Sequence, residues 1–267
     1  MSKRPSFRLL AAGILAASLS ACSHYIQDSS GREYVNRSLE LPGETPQQRA
    51  DTDAFRAQIR KAANVEPGLR FPARIGIARI DRGEISAIPP AEAEAWLKLS
   101  ERLGPRFGQF VPISPLIAEL VAGEQREAER RGRYDRASLA DTIRKLRLGA
   151  ARQHADIVLI YEVAGTSKDN ATFLSAADLS IVGMFIVPSR HLKAEGFASA
   201  LLLDVRNGYP YGTATARADD QNLVPTIGSE ARTGDLLRDV RTAAAVKLAG
   251  EVEKMAEALY ARGVTSR

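Results

Sequence analysis

The chain has 267 residues, 45% of them apolar, with 37 Lys and Arg against 32 Asp and Glu and a formal charge of +5. Three of those cations lie in residues 1–21, which hold no acid, so the rest of the chain carries 34 against 32 and lacks the strong basic excess of a nucleic-acid-binding protein. With one cysteine, Cys22, the chain has no intrachain disulfide and no multi-cysteine metal site.

The N-terminus reads as a targeting segment. Lys3, Arg4 and Arg8 form a charged start, and Leu9 to Leu19 form an apolar stretch too short to span a bilayer as a mature helix. Residues 1–21 therefore read as a signal peptide. The stretch ends Leu19-Ser20-Ala21-Cys22. That ending resembles the lipobox of bacterial lipoproteins, in which the Cys thiol receives diacylglycerol and the chain is cut just before it. The resemblance implies lipidation of Cys22, with the lipid bilayer as a partner and no thiol left for other chemistry. Ser23 comes directly after the cysteine. In enterobacterial lipoproteins an Asp there favours the inner membrane, so Ser23 implies a periplasm-facing outer-membrane anchor.

Residues 22–51 read as a flexible tether, rich in Ser, Gly, Glu and Pro and without periodicity. About 29 flexible residues reach on the order of 30 Å, enough to lift a body clear of the headgroups. Residues 52–267 then read as a single globular domain. Thr52 or Asp53 is placed to cap a short helix carrying Phe55 and Ile59. Arg74 to Ile80 predicts a first strand. Residues 91–103 predict a helix with Ala93, Trp96, Leu97 and Leu103 on its apolar side. Phe107 to Ile113 predicts a second strand, and Pro115 opens a helix over Leu116 to Val121.

Leu139, Ile143, Leu146 and Ala150 share one helix face, with Ser138 as cap and Asp141 three positions on. Asp156 to Val163 has an unbroken apolar centre, the pattern of a strand covered on both faces. Leu179 to Val187 and Phe197 to Val205 predict further strands. Asn207-Gly208 predicts a tight hairpin turn, with Tyr209, Tyr211, Thr213 and Thr215 on the return strand. Pro210 places that strand at an edge or starts it with a bulge. A stripe from Leu237 through Val240, Ala244, Leu248, Val252 and Met255 to Leu259 predicts a long C-terminal helix, with Gly250 a place for a bend. The expected fold is mixed α/β: a mixed β-sheet with an antiparallel hairpin region, packed by helices on one or both faces.

Catalytic signals are absent from the sequence. His24, His154 and His191 show no metal-ligand spacing. No Gly-x-Ser-x-Gly elbow or phosphate-binding glycine loop occurs, and no cofactor is implied. Two segments read as possible contacts with a protein partner. One is the charged arm from Glu124 to Tyr134, with Arg126, Arg130 and Tyr134 as contact residues. The other is the Tyr209 and Tyr211 pair, which serves either as cross-strand packing or as a binding edge.

Two motifs carry a wider resemblance. Ala155-Asp156 followed by an apolar strand, and Leu203-Asp204-Val205-Arg206-Asn207-Gly208 before a hairpin, resemble the activators of penicillin-binding proteins and the curli-secretion lipoprotein. Ile181 to Pro188 followed by the Leu-Asp-Val-Arg strand is similar to rhombotarget-type lipoproteins. The resemblance implies a non-catalytic binding or assembly adaptor in the cell envelope, with an envelope protein as partner and no role for nucleic acid. A subunit of an oligomeric secretion pore and an enzyme with an unrecognised pocket are the alternatives.

Overall fold

The computed structural model describes residues 23–36, 46–129, 138–167, 194–219 and 230–262. The expected strand over Leu179 to Val187 lies outside them. Seven strands form one sheet: β1 (Ser23–Ile26), β2 (Ala73–Asp81), β3 (Glu84–Ser86), β4 (Gly108–Pro112), β5 (Ile157–Ser167), β6 (Ala194–Asp204) and β7 (Pro210–Asp219). The helices are α1 (Gly31–Asn36), α2 (Pro46–Ala63), α3 (Pro90–Leu103), α4 (Pro115–Glu129), α5 (Leu139–Arg152) and α6 (Glu230–Ala261).

The strand order is β1-β7-β6-β5-β2-β3, with β4 also on β2. β5 runs parallel to β2 and antiparallel to β6, so the sheet changes character at its centre. The sheet and helices confirm the mixed architecture. β5 is buried on both sides from Ile157 to Val163, as its unbroken apolar run requires. Ile157, Leu159, Tyr161 and Val163 enter a core under α3 and α6. Val158 and Ile160 enter a second core with Leu146 and Ala150 of α5. Alternation along one strand thus binds two helical layers to one sheet.

Local signals explain several boundaries. Ser138 and Asp141 form a reciprocal cap, with Asp141 N–H donating to Ser138 Oγ (3.2 Å) and Ser138 N–H to Asp141 Oδ2 (3.1 Å). At the other end of α5, Ala155 N–H donates to Ala150 O (2.9 Å) and His154 N–H to Ala151 O (3.0 Å), with His154 at φ 58°. This pair of bonds is a Schellman closure, with His154 as its left-handed residue. Arg82 (φ 53°) and Gly83 (φ 81°) make a tight turn joining β2 to β3. That hairpin is additional to the expected elements; its signal is the Asp81-Arg82-Gly83-Glu84 run.

Other expectations are corrected. The span read as a tether contains β1, α1 and part of α2, and β1 pairs with β7 from Ser23↔Thr215 to Ile26↔Gly212. Sheet pairing, capping and close packing hold what composition alone marks as a linker. α2 starts at Pro46, so Thr52 and Asp53 lie within it, and Phe55 is exposed. On α3 the inward face is Glu92, Ala95, Trp96, Leu99 and Leu103, while Leu97 points outward. That face is set by a buried ion pair as well as by apolar burial. Pro210 marks a register shift opposite Leu202/Leu203, so the strand starts at a bulge and lies inside the sheet between β6 and β1.

α6 runs through Gly250 as one helix. Val240, Ala244, Leu248, Val252, Met255 and Leu259 are buried, as the stripe predicts. Ala245, Ala249 and Ala256 are buried beside them and let the helix lie close to the strands. The tightest approach is at Gly196 of β6, where an added Cβ would meet the Val240 carbonyl. Gly196→Ala is expected to cost about 1–3 kcal/mol in urea unfolding, as an overpacked backbone contact. A Cβ at Gly250 meets nothing within 4 Å. Gly250→Ala is therefore expected to gain up to about 1 kcal/mol by the same measurement.

Candidate functional site

The residue next to Cys22 is already part of the sheet. Ser23 pairs with Thr215, and their hydroxyls lie 3.0 Å apart in a hydrogen bond. His24 and Ile26 face α6: His24 Nδ1 is 3.4 Å from Glu251 Oε2, and Ile26 packs on the main core. Lys254 Nζ holds the other Glu251 oxygen at 2.8 Å. Tyr25 is on the opposite face from His24 and is 64% exposed. β1 is the outermost strand of the described sheet.

A polar latch fastens the segment after β1. Gln27 N–H donates to the Tyr211 carbonyl (2.7 Å), and Tyr209 Oη donates to the Ser29 carbonyl (2.8 Å). Gly68 N–H donates to Tyr211 Oη (2.8 Å), which itself donates to Asp204 Oδ2 (2.9 Å). Asp204 Oδ1 accepts the N–H groups of Arg206 (2.8 Å) and Asn207 (3.2 Å). Asn207 Nδ2 reaches the Glu66 carbonyl (2.7 Å). Arg147 donates to the Val205 and Arg206 carbonyls, at 3.0 Å each through Nη2. Asp156 accepts from Arg74 N–H (2.9 Å) and Arg206 Nη2 (2.7 Å).

This latch accounts for both sequence motifs. Asp156 ties the starts of β2 and β5 to the hairpin, and Asp204 caps the turn from inside. The turn is longer than Asn207-Gly208 alone suggests: Asp204 N–H pairs with the Tyr209 carbonyl, and among its residues only Gly208 (φ 78°) is left-handed. Tyr209 and Tyr211 are buried, with ring centroids 5.0 Å apart, so they pack the interior and offer no exposed partner edge. Arg130, Tyr134 and the side chain of Arg126 lie outside the described residues, as do Cys22 and His191.

A second polar cluster sits beneath α3. Glu92 Oε2 accepts from Arg79 Nε (3.0 Å) and Tyr161 Oη (2.8 Å), and Arg79 Nη1 donates to Ser86 Oγ (2.8 Å). Arg79, Glu92 and Tyr161 are all buried. The Trp96 ring meets Tyr161 edge-on at 4.8 Å. Burial, and then the adjacent Glu92 carboxylate, raise the Tyr161 pKa far above its ordinary value. Tyr211 is raised by burial, with Asp204 adding to the effect. Chemically the cluster is a buried ion pair whose carboxylate also accepts the Tyr161 hydroxyl; it links α3 to β2, β3 and β5. The sequence signal for it is Glu92 on an otherwise apolar helix face. Among the described residues, no three His, Cys, Asp or Glu side chains group to hold a metal ion, and no helix is long and apolar enough to cross a membrane.

No protein-family model matches the sequence, and no curated protein matches it. The chain is similar to solved structures at low identity. A PelC dodecamer from Paraburkholderia phytofirmans shares 13% identity, at a TM-score of 0.31, over 70% of this chain and 91% of that one. Lipoprotein GNA1162 from Neisseria meningitidis shares 17%, at a TM-score of 0.24, over 63% of this chain and 95% of that one.

Glu92→Ala leaves the Arg79 charge buried and is expected to cost about 3–5 kcal/mol in denaturant unfolding, with Glu92→Gln costing less. Alkaline pH adds a separate test. Both tyrosines have folded-state pKa values raised above the ordinary 10.0. Their contribution is full below pH 10 and falls as the unfolded chain ionises above it. Melting temperature is therefore expected to drop above about pH 10, and less steeply in Tyr161→Phe.

Proposed function

We propose that the chain is a cell-envelope lipoprotein, anchored through acylated Cys22, that acts as a non-catalytic, periplasm-facing binding or assembly adaptor. The observation that carries this reading is the lipobox-like Leu19-Ser20-Ala21-Cys22 directly ahead of an ordered strand. A new amino terminus at Cys22 leaves every described element intact. Cleavage there removes only the residues that precede the sheet. Ser23 in place of Asp supports the outer membrane over the inner.

The adaptor role draws support from how the polar groups are used. Of the buried charges, Arg79, Glu92 and Asp204 make their hydrogen bonds to neighbours within the fold. That pattern suits a rigid body presenting a surface. The charged arm containing Arg126, Arg130 and Tyr134 is the candidate contact with an envelope protein.

Two measurements test this. Cells fed labelled palmitate are expected to label the wild-type protein and not Cys22→Ser; an unlabelled wild type rejects the anchor. Cross-linking in living cells is expected to capture an envelope protein with the wild type, and to lose it when Arg126 and Arg130 are changed to Glu. Retained capture in that variant removes the arm from the interface.

A further inference from the structure

We propose that acylated Cys22 seats the β1–β7 edge of the sheet on the phospholipid bilayer, with Tyr25 in the headgroup layer. The inference rests on the lipid-anchor reading and adds an orientation to it. Ser23 is fixed by its pairing and hydroxyl contact with Thr215. Cys22 is one peptide step from it, about 3.8 Å between Cα atoms. A tether of about 29 residues would have allowed on the order of 30 Å. With that slack gone, the lipid attachment point stays beside one edge of a rigid sheet.

Which edge is decided by the strand order. β1 is outermost, and its inward-facing residues, His24 and Ile26, are occupied by α6 and the core. Tyr25 stands out on the other face at 64% exposure. A tyrosine has an apolar body and a polar tip, and its favoured place beside a membrane is the headgroup region. Tyr25 is three residues from Cys22, about 10 Å along an extended chain. The headgroup layer is about 5–8 Å thick, so a strand lying along the surface keeps the anchor and the aromatic both at that depth, whereas a strand standing upright would lift Tyr25 clear of it. Among the described residues no strand pairs with the outer edge of β1, and an edge of that kind invites another strand. Facing headgroups, that edge is covered.

The sheet supplies an internal reference for the test. Ser23, Thr215, Ser199, Glu162, Ile80 and Ile85 pair in sequence as one row across the sheet. Glu84, beside Ile85, is exposed on the far edge strand. Five inter-strand steps separate β1 from β3, or about 24 Å at ordinary spacing. Tyr25 is level with Ala78 of β2 and Glu84 with Asp81, so the two sites lie on opposite edges and about 10 Å apart along the strands.

Because Cys22 is the only native cysteine, acylation leaves an introduced cysteine as the sole free thiol. Full-length lipidated protein carrying Tyr25→Cys or Glu84→Cys is spin-labelled and placed on phosphatidylethanolamine–phosphatidylglycerol vesicles. Accessibility to a water-soluble nickel chelate is compared with that in detergent. The expected result is a label at 25 that becomes shielded on vesicles while the label at 84 stays accessible. Equal shielding would mean that the sheet stands on its end, and overturns the proposal. Two accessible labels on protein that floats with vesicles would mean a body held away from lipid, and also overturns it. Protein that carries no acyl mass and fails to float overturns the anchor itself, and this orientation with it.

Discussion

Burial of β5 on both faces is the constraint on which the remaining architecture depends. A strand with no wet side must have strands at both edges and a helical layer above and below. β2 and β6 supply the edges, α6 and α3 one layer, and α5 the other. Tyr161 shows how strict the demand is. Its hydroxyl is carried into the core and needs a partner there, which Glu92 provides. Glu92 in turn needs a counter-charge, which Arg79 provides. One polar atom on a fully covered strand thus sets a chain of obligations that reaches α3 and the β2–β3 hairpin.

The motifs that resemble those of envelope lipoproteins are architectural in this chain. Asp156 and Asp204 hold backbone amides at the base of the sheet, and Val205 fills the second core. Residues used in this way say how a hairpin is closed and little about what the protein touches. The same hairpin receives the N-terminal segment through Tyr209, Tyr211 and Asn207. Closure of the turn and docking of the N-terminus are therefore a single event in structural terms.

The periodic part of the fold is legible in the sequence. Leu139, Ile143, Leu146 and Ala150, the run from Ile157 to Val163, and the α6 stripe each repeat one physical demand, and such repetition survives in sequence. The N-terminal segment is not legible, because β1 is short and draws its stability from pairing across a long stretch of chain. Composition reports only local preference, and Ser23 to Ile26 has no strong one. The inward face of α3 escapes a reading by apolar pattern because Glu92 points into the core. A charged residue turns inward only when a partner waits, and Arg79 lies on another element. For the proposed site, Cys22 is conspicuous, since a lipobox-like ending is a linear signal. The rigidity of the neighbouring strand is hidden, and so is the interior fate of Tyr209 and Tyr211.

The pairing of β1 with β7 also bears on how the molecule is made. Ser23 meets Thr215 across 192 positions, so the first described residue waits for the last described strand. A contact of that separation lengthens the route to the native state far more than it weakens the final one, since closure entropy grows only with the logarithm of loop length. During synthesis the leading strand must remain unpaired while most of the chain emerges behind it. If the leading end is already held in lipid, the search takes place at a surface, and the late-arriving β7 must come to the membrane to find it.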